Sequence, residues 1–214
     1  QTHNVSVQGG NDKGTIRLSL TNQDHTPIIN NSNYNRTTVN FGTNIKISEK
    51  LKADAAITYV KYKRLNSPMI GEDGNSFSKG LLYSWPRSYQ GIDRENYQMA
   101  DGSRNLLDGY PFQYVDRYLW WNYFNNNTWQ DRDKYTASIA LIYDIAPWLN
   151  ATGRIGRDYT IEQFTSKNKP VDFIGQLEGG YSNSLEKNTN DNMEVLITAH
   201  QKKIFNSSLS LRFT

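Results

Sequence analysis

The chain has 214 residues, a formal net charge of +3 and no cysteine, which excludes a disulfide scaffold and a thiolate metal site and gives no strong case for nucleic acid. Only 36% of residues are apolar, below the near-half usual in soluble domains, and mean hydropathy is −0.74. Yet 14 Tyr, 8 Phe and 5 Trp are too many aromatics for a disordered chain.

Apolar residues recur with period 2, the signature of half-buried strands. The chain opens at Gln1-Thr2-His3 directly in strand-like sequence, as expected of a piece beginning within a longer protein. Val5 and Val7 mark a first strand, and Ile16, Leu18 and Leu20 a second. Between them Gly9-Gly10-Asn11-Asp12-Lys13-Gly14 is a turn rich in residues that tolerate positive φ. A longer connection spans Gln23 to Asn33, and Val39, Phe41, Thr43, Ile45 and Ile47 form the next run. Ser48-Glu49-Lys50 turns the chain into Leu51, Ala53, Ala55, Ile57 and Tyr59. A very long connection follows, from Arg64 to about Asp131, and then Ala137, Ile139, Leu141, Tyr143 and Ile145. Ala146-Pro147-Trp148 is a short turn into Leu149, Ala151, Gly153 and Ile155. A long connection from Phe164 to about Asn190 leads to Met193, Val195, Ile197 and Ala199, and a short one, Lys202 to Asn206, to Leu209, Leu211 and Phe213. About eight strands result, several long enough to cross a bilayer at the tilt that needs about 9–11 residues. Short and long connections alternate throughout, as in an up-and-down antiparallel barrel with tight turns at one end and loops at the other.

Charge placement tests that reading. If the apolar residues face lipid, strand charges belong on the opposite parity, and Arg17, Arg36, Lys46, Lys52, Asp54, Arg154, Asp158, Glu162, Glu194 and Arg212 fall there. Lys61, Lys63, Arg157 and Lys203 break the rule. They are expected toward strand ends, where a lipid-facing charge costs about 0–1 kcal/mol rather than the roughly 2–4 of the midplane. Tyr59, Tyr143, Trp148, Tyr159 and Phe205 are expected near strand ends and so suit interfacial girdles, although aromatics also simply favour strands.

Catalytic and metal signatures are weak. His3, His25 and His200 are scattered, and no H-E-x-x-H, Gly-x-Ser-x-Gly, phosphate-binding loop or dinucleotide fingerprint occurs. Glu72-Asp73, Asp93-x-Glu95 and Asp131-x-Asp133 read as solvated acids before glycosidase pairs or calcium ligands. Sequons such as Asn126-Asn127-Thr128 arise by chance in an Asn-rich chain. The chain is therefore expected to be no enzyme and to need no cofactor or metal. The longest connection holds thirteen aromatic residues, from Tyr83 to Trp129, interleaved with Arg and Asp. Rings flanked by polar groups suit sugars or peptide side chains, and Trp85, Trp120 and Trp121 are the candidate substrate-binding residues. The competing reading is that these rings form the small core that lets so long a connection fold.

The segment His3-Asn4-Val5-Ser6-Val7-Gln8-Gly9-Gly10-Asn11-Asp12-Lys13, with Arg17-Leu18-Ser19-Leu20, resembles the SusC/RagA family of TonB-dependent outer-membrane transporters, in the hairpin after the plug domain. Asp24, Ile28-Ile29, Asn35-Arg36, the turn Ile47-Ser48-Glu49-Lys50-Leu51-Lys52, and Trp148-Leu149 before Gly153-Arg154-Ile155-Gly156 continue it. The likeness covers the strands, roughly half of the residues, and not the long loops. Near Ile16 the family often has an aromatic, and before the Ile-Ile pair a glycine where this chain has Thr26-Pro27. The resemblance implies an all-β, antiparallel up-and-down transmembrane β-barrel, of which residues 1–214 are one part, without plug or remaining strands. It also implies residence in the outer membrane, import of an oligosaccharide or peptide, a SusD-like surface lipoprotein as lid, and energy from the TonB complex through the plug. Two rivals share the strand pattern: a secreted carbohydrate-binding β-domain, and a small complete membrane barrel acting as adhesin or pore.

Overall fold

The computed structural model describes residues 1–28, 31–67, 97–105, 116–170, 178–201 and 211–213. They form a single eight-stranded antiparallel sheet in which every strand pairs with its neighbours in sequence. The strands are β1 (Thr2–Asn11), β2 (Gly14–His25), β3 (Asn33–Lys46), β4 (Leu51–Leu65), β5 (Asn127–Ala146), β6 (Leu149–Asn168), β7 (Gly180–Gln201) and β8 (Leu211–Phe213). One helix, α1 (Asp116–Asn125), precedes β5. The expected strand number and order are thus observed. Lys203, Phe205, Leu209 and Trp85, and the carboxylates Glu72, Asp73, Asp93 and Glu95, lie outside the described residues.

Turn chemistry fixes the short end of the sheet. In the β1–β2 hairpin the Asn11 side chain accepts a hydrogen bond from the Lys13 backbone N–H at 2.8 Å, the local closure that favours Asn in turns. Gly14 leaves this hairpin where a Cβ would stand 2.6 Å from the Asn44 carbonyl oxygen of β3, so only glycine fits the approach. At the β3–β4 turn the Ser48 hydroxyl accepts from the N–H groups of Lys50 and Leu51, at 3.3 and 3.1 Å.

Register turns the period-2 pattern into two faces, because directly opposed residues of neighbouring strands project to the same side. One row reads Val5, Leu20, Val39, Tyr59, Tyr135, Tyr159 across β1 to β6. The next reads Val7, Leu18, Phe41, Ile57, Ala137, and the one below it Ile16, Thr43, Ala55, Ile139, Ile155, Met193. The parity expected for Phe41, Ile45, Ile57, Ile139, Leu141, Ile155 and Ile197 therefore holds: all lie on one face. Arg36, Asp54, Arg154, Asp158 and Glu194 lie on the other, Asp54 opposite Asn44 and Arg154 opposite Glu194.

The apolar face is uncovered. Met193 is 79% exposed, and among the described residues the buried apolar side chains are only Trp120, Trp121 and Ala140. Its aliphatic rows are bounded by aromatics. Tyr59 stacks on Tyr135 with centroids 4.8 Å apart, and Tyr135 on Tyr159 at 6.4 Å; Tyr143 and Trp148 stand toward the short turns, both exposed. From Tyr159 to Leu149, on the same face of β6, the chain advances about 33 Å at ~3.3 Å per residue. A tilt near 45° projects this to about 23 Å, close to the roughly 25 Å apolar band of an outer-membrane barrel.

The strands continue past the tyrosine row, so Tyr59 and Tyr159 lie within β4 and β6 rather than near strand ends. Trp129 and Asp131, expected in the long connection, belong to β5, and the connection expected from Phe164 to about Asn190 shrinks to residues 169–179 because β6 runs to Asn168 and β7 begins at Gly180. The reason is physical: beyond that row polar residues predominate on both faces, with only scattered apolar ones such as Ile161, Phe164 and Leu185, so the alternation disappears while the ladder continues. Lys61 and Lys63 lie in this polar extension, opposite Asp133 and Asp131. Arg157 does not lie toward a strand end. It sits in the middle of β6, one row inside the tyrosines, opposite Asp191.

Candidate functional site

The polar face carries the chemistry, and it is densest toward the long connections. Opposed residues there build a hydrogen-bonded lattice. Asn40 donates to the Ser19 hydroxyl at 3.3 Å and accepts from Thr58 at 2.9 Å, linking β2, β3 and β4. Thr136 donates to Asp158 at 2.5 Å, and Lys134 lies 3.9 Å from the same carboxylate. Arg132 grips Glu162 with two parallel hydrogen bonds of 2.9 Å, and Gln130 donates to the same carboxylate. Such a fork-to-fork pair fixes both side chains geometrically as well as electrostatically. Towards the short turns Arg154 meets Glu194 at 2.9 Å and Lys52 meets Asp144 at 3.4 Å. These pairs are partly exposed, so each adds about 0–1 kcal/mol to stability. Their greater effect is to leave the wall polar and ordered.

Two grooves open on this face. One, of about 510 Å³, is lined by Arg132, Asp158, Glu162, Glu186, Asn188 and Asn190. The other, also of about 510 Å³, lies at the rim against Gln23, His25, Tyr34, Tyr62 and Arg64. In the rim groove Tyr34 and Tyr62 meet edge to face at 5.1 Å, Arg64 donates to the Tyr62 hydroxyl at 3.2 Å, and the Arg132 guanidinium lies 5.6 Å from the Tyr62 ring centre. Rings held this way offer apolar area with hydrogen-bonding groups at the edge, the combination that receives a sugar ring or a peptide side chain. The aromatic count of the long connection did not single out Tyr34, Tyr62, Arg64 or Arg132. The available signal was parity: each shares the side of Arg36 and Glu162.

Above the rim, the long connections are tied together by asparagines. Asn31 and Asn66 both adopt the left-handed region, at φ 61° and 47°, which Asn tolerates better than most residues. Asn66 is 5% exposed. Its amide donates to the Asn31 carbonyl and to Asn127, both at 2.8 Å, and its oxygen accepts the Thr128 N–H at 2.8 Å. Asn31 in turn donates to the Tyr123 carbonyl at the end of α1, at 2.9 Å. Asn126 accepts from the Lys169 N–H at 3.1 Å. All three long connections are joined through these contacts.

Of the three tryptophans expected to contact substrate, two are described, and α1 holds both. Trp121 is 2% exposed, with the Lys169 ammonium 5.7 Å from its ring centre. Trp120 is 9% exposed and stacks on Phe124 at 5.8 Å, which stacks on Tyr97 at 5.1 Å. These rings form a small aromatic core over the rim. Nearby, Asp101 accepts from the hydroxyl and the N–H of Ser103, at 2.6 and 2.9 Å, which holds its carboxyl below the usual range. Among the described residues no group of three or more His, Asp and Glu could hold a metal ion, and no helix is long and apolar enough to cross a membrane.

No protein-family profile matches the sequence, and no curated protein matches it. Solved structures do match the fold. A chain of the RagAB peptide importer in its closed-closed state superposes with a TM-score of 0.67 at 15% identity, over 94% of this chain and 22% of that one. A chain of the RagAB peptide transporter gives 0.65 at 14% identity, again over 94% and 22%. The sheet thus has the fold of a part of that barrel, as the resemblance to the SusC/RagA family implies. The chain spans about a fifth of the length of those relatives.

Proposed function

We propose that this chain is part of the wall of an outer-membrane β-barrel importer whose polar face lines the substrate path and whose apolar face meets lipid. The observation that carries the reading is the segregation of faces. One face shows aliphatic rows open to the surroundings and edged by tyrosines, while the other shows paired charges and hydrogen-bonded polar rows. A closed soluble barrel or a sandwich turns its apolar face inward, which would leave the Arg132–Glu162 and Arg154–Glu194 pairs outside and the tyrosine rows inside. The long connections then lie on the extracellular side.

The cargo is a large nutrient, an oligosaccharide or a peptide, taken up without covalent chemistry. The rim groove and the aromatic core over it supply its contacts, and a SusD-like lipoprotein closes over the connections. The relatives of like fold are a peptide importer, which favours peptide as the cargo. Energy comes from the TonB complex, through a plug carried by the rest of the protein. Binding and energy input shift populations of open and closed states, which a ligand does only by its differential affinity. The test is uptake of labelled oligosaccharides and peptides by intact cells with and without the gene. Loss of uptake on deletion, and its abolition by a protonophore, are expected. Uptake that survives both contradicts the proposal.

A further inference from the structure

The apolar face carries one tight ion pair within its belt. Arg157 and Asp191 are opposed in the β6–β7 register, in the row of Val7, Leu18, Phe41, Ile57 and Ala137. The guanidinium donates from Nε to Oδ1 at 2.6 Å and from Nη2 to Oδ2 at 2.8 Å, and the two side chains are 65% and 57% exposed. Arginine has five N–H donors, and these two bonds leave the rest without an acceptor among the described residues. On a surface turned to lipid, such donors need an acceptor from outside the chain. Immediately beside the pair, and one row deeper, lies an apolar groove of about 420 Å³ lined by Ala137, Ile139, Ile155 and Met193.

We propose that Arg157 and this groove bind one phosphate-bearing lipid of the leaflet on the long-connection side. The phosphate oxygens accept from the remaining Arg157 donors, and an acyl chain lies against Ile139, Ile155 and Met193. Depth, shape and charge agree. The pair sits just inside the tyrosine row, where headgroup meets chain. The groove runs from the charge into the aliphatic belt. A planar guanidinium matches phosphate bidentately, while Asp191 keeps the empty site neutral. A protein partner fits less well, because a stable interface buries about 1,200–2,000 Å² and the belt around the groove continues with the same aliphatic character.

The inference rests on the reading that the apolar face meets lipid, and the test separates the two. The intact protein is delipidated in mild detergent and titrated with phosphatidylethanolamine or with a phosphate-free galactolipid of equal chain length, bound lipid being counted by native mass spectrometry. The wild type should prefer the phospholipid by about tenfold, the worth of charge-assisted hydrogen bonds. Arg157→Gln should abolish the preference and Asp191→Asn should keep it. No preference in the wild type, or an unchanged one in Arg157→Gln, overturns the proposal; so does its loss in Asp191→Asn, which would make the pair a strand-to-strand tie. A photo-crosslinker at Ile155 should capture lipid, and capture of a second protein chain there overturns the proposal in favour of a protein interface. A crosslinker at Ile57 distinguishes the failures. Lipid capture at Ile57 without phosphate preference removes the lipid site alone, whereas no lipid capture at either position removes the membrane reading as well.

Discussion

Asn66 does three things at once: it takes a left-handed backbone, satisfies two partly buried acceptors with its amide and receives the Thr128 N–H. Asn66→Ala loses all of them, with a left-handed penalty of about 1–2 kcal/mol and about 1–3 kcal/mol for a buried group left unsatisfied. Asn66→Gly keeps the backbone and loses only the side-chain bonds. Protection of the 66–126 connection against a protease, measured on the folded protein, should fall in the order wild type, Gly, Ala. Equal protection of all three would mean that the latch has no hold on the connection. The tryptophans behave differently. Burial of Trp121 predicts that Trp121→Ala costs about 3–5 kcal/mol, the scale for truncating a core aromatic, and that uptake falls together with loop protection. Uptake that falls while protection and surface abundance stay constant would make Trp121 a substrate contact.

At the scale of elements, the rim groove between β2, β3 and β4 yields a sharper test. Tyr62 holds the hydrogen bond from Arg64 and lies under Arg132, yet its ring is only partly covered. Tyr62→Ala should weaken substrate binding by about 1–3 kcal/mol, the loss usual at an aromatic contact, with barrel abundance unchanged. Tyr62→Phe should retain most of it. Binding unaffected by Tyr62→Ala would move the substrate path away from this groove. The elements differ in how far the sequence foretells them. Val39 to Tyr59 and Ala137 to Ile155 show the alternation because one face of the sheet there is apolar and the other polar. Past Tyr59, Tyr135 and Tyr159 that contrast ends, so Trp129, Gln163 and Tyr181 give no period although they lie in strands. Helix α1 was illegible for another reason. Tyr118, Leu119, Trp120, Trp121, Tyr123 and Phe124 run around the helix rather than along one stripe, so a 3.6-residue period does not emerge. Tyr34, Tyr62 and Arg132 needed register: parity assigns a face, but only the pairing of β3, β4 and β5 brings them together.

The whole sheet has two outer edges among the described residues, those of β1 and β8. Unpaired strand edges cannot be satisfied in hydrocarbon, so residues 1–214 expressed alone should aggregate or require denaturant. A monodisperse, heat-modifiable species in detergent would show that these strands close on themselves.

The orientation of the two faces decides everything else. Ile57 and Asp54 both lie on β4, three residues apart, and their rows place them on opposite sides of the sheet. A nitroxide attached at each position in turn, in the intact protein in a bilayer, reports its surroundings through relaxation by oxygen, which concentrates in lipid, and by a nickel chelate, which stays in water. With the apolar face turned to lipid, the label at position 57 is relaxed more by oxygen and the label at position 54 more by the chelate. Equal access at the two positions, or the reverse order, would contradict that orientation.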